Sequence, residues 1–162
     1  MSILSKSLER IKPSPTISVT QKARELKAKG ADIISLGSGE PDFDTPDNVK
    51  SAAIEAIKNG QTKYTAVDGT VDLKNAIVSK FKKENNLTYE KNQISVGAGG
   101  KQVIYNAFLA TINSGDEIII PSPFWVSYPD IVLLAGGIPK IIECGEEDNF
   151  KLTAKSLSLI HI

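Results

Sequence analysis

Residues 94–122 read ISVGAGGKQVIYNAFLATINSGDEIIIPS, and the order of patterns inside this stretch decides the fold. A short apolar run at 94–96 meets a glycine-rich turn. Val103, Ile104, Phe108 and Leu109 then follow at helical spacing, and a second apolar run closes the stretch. A hydrophobic period that passes from strand-like to 3.6 and back is the signature of strand, helix, strand. Downstream, 124–135 reads as a helix and PKIIEC at 139–144 as a third strand. Such alternation predicts an α/β layer architecture with a mainly parallel sheet.

The turn itself, Val96-Gly97-Ala98-Gly99-Gly100-Lys101-Gln102, stands where a strand hands over to a helix. Glycines there let backbone approach a ligand, and the first helical N–H groups with the helix dipole favour an anion. It is not a dinucleotide fingerprint, because Gln102 occupies the place of the third glycine. Nor is it a Walker A loop, since Ser95 stands where that loop starts on glycine and Gln102 where it ends on Ser or Thr. A small monophosphate fits the turn; a tight turn without a ligand fits it too.

Upstream the chain is helices and loops. Pro13 and Pro15 favour an extended arm over 1–15. Thr16 as an N-cap and Gly30 as a stop frame a helix over 17–29, with Val19, Ala23 and Leu26 on one face. Thr45 followed by Pro46 announces a second helix running to Gly60. A third runs from Thr70 to about Asn85, with Leu73, Ile77 and Phe81 inward and Lys74, Lys80, Lys82 and Lys83 outward. This reading divides the chain into 1–45 (arm, first helix and a turn-rich loop), 46–150 (the first part of a sheet domain) and a tail at 151–162.

With 19 basic and 19 acidic side chains the formal charge is zero, so nothing argues for nucleic acid or an anionic membrane as partner. No run approaches the roughly 20 apolar residues of a membrane span, and the N-terminus lacks a signal-type apolar core, which makes the cytoplasm the expected location. One cysteine, Cys144, and one histidine, His161, offer no metal cluster. The aromatic turn PFWVSYP at 123–129 follows the second apolar run and so belongs to the same sheet edge as the glycine turn. There Trp125 could cover a planar heterocycle or could be a packing residue. In GSGEPDFD at 37–44, the glycines could offer N–H groups to a carboxylate, whereas Asp42 and Asp44 read as turn and cap acceptors.

Taken together, GEPDFDTP at 39–46, TKYTAVDG at 62–69, GGKQVIYN at 99–106 and PFWVSYP at 123–129 resemble, in order and spacing, the class I (Iγ-type) bacterial aspartate aminotransferases. These are fold type I pyridoxal-phosphate enzymes, and the resemblance covers residues 5–155. It implies an arm and helices followed by the first part of a mainly parallel three-layer sheet domain. It implies that the turn at Gly99, Gly100 and Lys101 holds the cofactor phosphate, and that Trp125 stacks on the pyridine ring and meets substrate. It further implies that Gly39 meets the substrate α-carboxylate, and that Tyr64 reaches the cofactor phosphate of a neighbouring subunit in a homodimer. Lys12 matches a lysine that members active on prephenate use for its extra carboxylate. Phe124 departs from the tyrosine found in many relatives.

The resemblance also implies what to miss. The Schiff-base lysine, the pyridine-binding aspartate and the carboxylate-binding arginine belong to downstream segments that these 162 residues do not contain. The expectation is therefore a fragment without a catalytic lysine, derived from an enzyme that moves the amino group of aspartate to 2-oxoglutarate, with prephenate as a further acceptor. A non-catalytic piece and a related enzyme of the same fold, such as a C–S lyase, are the competing readings.

Overall fold

The computed structural model describes residues 3–37 and 39–158; His161 and the end of the tail lie outside them. The order is a 3-10 turn at Lys6–Arg10, α1 (Pro15–Ala28), α2 (Asp47–Lys58), α3 (Val71–Asn85), a 3-10 turn at Lys91–Gln93, α4 (Gly100–Thr111), β1 (Glu117–Ser122), α5 (Ser127–Ala135), β2 (Ile138–Glu143), a 3-10 turn at Glu146–Asp148 and α6 (Ala154–Ser158). The chain forms two compact units: one comprises the N-terminal stretch to Gly39 together with the chain from Ile104 onward, the other Glu40–Val103.

In the first unit β1 and β2 pair in parallel, with Ile118 opposite Pro139 and Ile120 opposite Ile141, and α5 connects them. The buried residues gather around this β1–α5–β2 unit: Ile120, Ile131, Val132, Ile142 and Cys144. Burying each large aliphatic side chain contributes about 1.5–3 kcal/mol, so this small cluster carries the stability of the unit. α5 starts at Ser127 rather than at residue 124, and the expected range is corrected accordingly. Pro129 then falls in the first turn, where a missing N–H costs nothing. The expected arm packs back by the guanidinium of Arg10, which donates to the carbonyl of Leu133 at 3.3 Å, in the last turn of α5. A cation there meets the negative end of the helix dipole.

In the second unit α3 begins as expected, Thr70 accepting from the N–H of Leu73 at 3.4 Å. Two other starts differ from the sequence reading by a residue or two. α1, in the first unit, opens at Pro15 with Ser14 as N-cap instead of Thr16, because proline is preorganised for the first helical position. α2 opens at Asp47 with Pro46 as N-cap and has no side-chain cap; Asp47 instead pairs with Lys50 at 2.7 Å. The expected strand at 94–96 is extended at Ile94, whose φ is −117° and ψ 127°, but among the described residues the sheet has two strands, β1 and β2. A strand needs a ladder as well as extended torsions, and the pattern of side chains reports only the torsions.

Lys74 is the larger correction. It was expected outward on α3, yet it is buried, at 8% exposure, while Leu73 on the expected inner face is 45% exposed. Among the described residues no helix is long and apolar enough to cross a membrane.

Candidate functional site

The glycine turn lies in the second unit. Ile94 is buried and Val96 half-buried, so the chain enters the turn from an anchored segment. Gly99 has φ +89°, a conformation open to glycine and strained for residues with a Cβ. Its N–H donates to the carbonyl of Gly97 at 2.9 Å, and its own carbonyl receives the N–H of Val103 at 3.4 Å, the first bond of α4. The side-chain carbonyl of Gln102 folds back and accepts from the N–H of Ala98. A Cβ placed on Gly99 or Gly100 would meet nothing within 4 Å, so the space before the start of α4 is open. Gly99, Gly100 and Lys101 are all exposed there. An open helix N-terminus reached through a left-handed glycine is the geometry that receives a phosphate.

Tyr64 belongs to the same unit and is fully exposed. Its loop is tied to the turn through backbone: the N–H of Val96 donates to the carbonyl of Asp68 at 3.0 Å. Gly69, with φ +108°, lies so close to Val96 that a Cβ would come within 2.8 Å of Val96 Cγ2. The carboxylate of Asp68 in turn accepts from the buried ammonium of Lys74 on α3. Neither partner of this pair was singled out from the sequence. The signal was weak: Lys74 stands at the fourth helical position after the cap Thr70, where a staple partner is commonly apolar, and Asp68 stands two residues before the cap, one beyond the usual staple position.

The hydrogen bond from Lys74, more than the opposing desolvation, holds the Asp68 carboxyl below its ordinary value of 3.8. A folded-state value lowered in this way gives a contribution that is complete above the unfolded value and is lost as pH falls through the folded one. The second unit is thus expected to lose stability as pH falls below about 4, and Lys74→Met to flatten that part of the curve. Chemical denaturation followed across the acid range reads this directly; equal slopes in both proteins would remove the pair as its cause.

Gly39, Trp125 and Lys12 lie in the first unit. Lys12 is exposed between the 3-10 turn and α1, and Gly39 is exposed with open space about its Cα. Trp125 follows β1 and the cis Ser122–Pro123 bond, and its ring is half exposed at 53%. Together with Ile104, Phe108, Ile119, Pro123 and Phe124 it lines an apolar hollow of about 700 Å³. Ser127 Oγ, at the start of α5, is buried without a hydrogen-bond partner.

The family model of the class I and II aminotransferases matches residues 31–159, and this match takes in the loop at Gly39, the glycine turn and the aromatic turn. The chain belongs to the class I and II aminotransferases. Within the family it is 62% identical over 157 residues to the aspartate/prephenate aminotransferase of Cereibacter sphaeroides, covering 97% of this chain and 39% of the relative. Among solved structures it is similar to the aspartate aminotransferase of Rhizobium meliloti, with a TM-score of 0.91 and 45% identity, over 98% of this chain and 40% of that one. It is also similar to the aspartate aminotransferase of Thermus thermophilus with maleate, with a TM-score of 0.92 and 42% identity, over 97% and 41%. The chain thus spans about two-fifths of the length of the aminotransferases it matches.

Proposed function

We propose that the chain is the cofactor-phosphate and substrate-entry part of a pyridoxal-phosphate-dependent enzyme that transfers the amino group of aspartate to 2-oxoglutarate and also accepts prephenate. The observation that carries the reading is the left-handed Gly99 leading straight into the open N-terminus of α4, inside a chain 62% identical to an aspartate/prephenate aminotransferase. The residues fit a monophosphate ester. Gly99 and Gly100 leave the approach clear, the amides opening α4 supply donors, and Lys101 adds positive charge at the same turn. When bound, pyridoxal phosphate supplies a conjugated ring that takes up the electron pair left by the departing α-proton.

Around that group the chain's own residues divide the remaining work. Trp125 offers a flat aromatic face, Gly39 a backbone N–H for the substrate α-carboxylate, and Lys12 an exposed ammonium for a second carboxylate. The maleate bound by the Thermus relative is a dicarboxylate, which supports a dicarboxylic substrate. Tyr64 is exposed, as a side chain that reaches into a second copy must be, and a homodimer with shared sites is part of this reading. So is a cytoplasmic location. None of this chain's lysines is assigned the covalent role.

A chimaera tests the reading. The 157 matched residues replace their counterparts in the Cereibacter relative, and amino transfer from aspartate to 2-oxoglutarate is expected to be retained. Gly99→Val in that chimaera is expected to weaken pyridoxal phosphate binding about tenfold, the left-handed penalty of 1–2 kcal/mol for a residue with a Cβ. A chimaera that folds and binds the cofactor yet leaves aspartate untouched would overturn the substrate assignment. On the isolated chain, pyridoxal phosphate with borohydride and intact mass is expected to label no single lysine; a stoichiometric adduct at one lysine would place the covalent role within these residues.

A further inference from the structure

We infer that Asp68 and Lys74 form a positioning pair that sets the backbone of the glycine turn. The chain of contacts is continuous within the second unit. Lys74, buried on the first turns of α3, holds the Asp68 side chain, while the Asp68 main-chain carbonyl holds the N–H of Val96 at 3.0 Å. Gly69 seats against the side chain of Val96, and Val96 immediately precedes Gly97. Gly97 has no slack on its other side, since a Cβ there would come within 2.9 Å of Val103 and 3.0 Å of Gln102, the residue that anchors Ala98. One residue, Asp68, thus fixes α3 with its carboxylate and the entry to the turn with its carbonyl.

The side chains differ in exposure in a way that makes the pair directional. The Lys74 side chain is 10% exposed and that of Asp68 45%. A buried ammonium has no alternative partner in water, whereas a half-exposed carboxylate does, so the lysine is the fixed post and the aspartate the part it captures. Removing Lys74 therefore frees Asp68 to turn to solvent without leaving a buried charge behind. Removing the aspartate strands the ammonium. The role of the pair is to hold the loop of Tyr64 and the turn of Gly99 in fixed relation.

Residue-resolved amide hydrogen exchange on the full chain tests this with Lys74→Met. Exchange at Val96 and Gly99 is expected to accelerate about tenfold, while amides in the middle of α2, such as Ile54, keep their wild-type rates. Unchanged rates at Val96 and Gly99 would overturn the inference, and so would uniform acceleration through α2, which would mean general destabilisation. If Lys74→Met does not fold, Asp68→Asn/Lys74→Met removes both charges and is read in the same way. A second arm rests on the proposed function: affinity for pyridoxal phosphate is expected to fall about tenfold while that for pyridoxal, which lacks the phosphate, is unchanged. Faster exchange with equal loss for both ligands would overturn the link to the phosphate. A wild-type chain that binds neither ligand would count against the proposed function, and the exchange rates alone would then decide the pair.

Discussion

Gly69→Ala is expected to destabilise the second unit by about 2–4 kcal/mol, more than its single methyl suggests. Two costs add. At φ +108° a residue with a Cβ is strained, and the new methyl would sit 2.8 Å from Val96 Cγ2 and 3.0 Å from Val96 Cβ. A β-branched side chain has one well-populated rotamer in most settings and cannot swing clear cheaply. Relief therefore requires the backbone at 68–69 to withdraw from Val96, which breaks the bond from the Val96 N–H to the Asp68 carbonyl. Urea unfolding followed by far-ultraviolet circular dichroism, with exchange rates in α3 as the local probe, gives the size. A loss under about 0.5 kcal/mol, the scale of ordinary surface substitutions, would show that the contact is easily relaxed.

The second large effect is expected at Val132 on α5, which is completely buried. Val132→Asp would place a carboxylate where the Val132 side chain now packs close to Gly137, in a position wholly out of water. An unpaired buried carboxylate costs several kcal/mol even after it takes up a proton, a large fraction of the 5–15 kcal/mol that stabilises a typical domain. The unit that carries β1, α5 and β2 is expected to unfold at neutral pH, with the emission of Trp125, the single tryptophan and a member of the same unit, shifting to that of a solvated indole. Val132→Ala is the graded control, expected to lose about 1–3 kcal/mol and keep the fold. Native-like fluorescence and a cooperative transition in Val132→Asp would mean that the packing around α5 can admit water.

Most of the architecture was legible because it rests on periodicities that a chain carries locally. α3 and α4 appear where their apolar spacing and caps put them, and so do the two β-branched runs that pair as β1 and β2. The glycine turn was legible for a different reason: strand, glycines and helix in succession leave few backbone paths, and Gly99 takes the left-handed one. Helix starts were displaced at α1, α2 and α5, where proline stands within the first residues and several caps compete. The expected strand at 94–96 was legible as an extended segment and not as a member of a ladder, since pairing is a property of two segments.

The sequence by itself determined the family, the order of the helices, and the glycine-rich turn at Gly97–Lys101 that leads into α4, because each depends on neighbours along the chain. Only the tertiary structure decided that Lys74 turns inward to Asp68, that Gly69 admits no side chain against Val96, and that Val132 lies wholly out of water. Helical periodicity assigns lysine to the solvent face because an ammonium is strongly hydrated. A carboxylate brought near by the loop before the helix reverses that preference, and where that loop passes is fixed by contacts between residues distant in sequence.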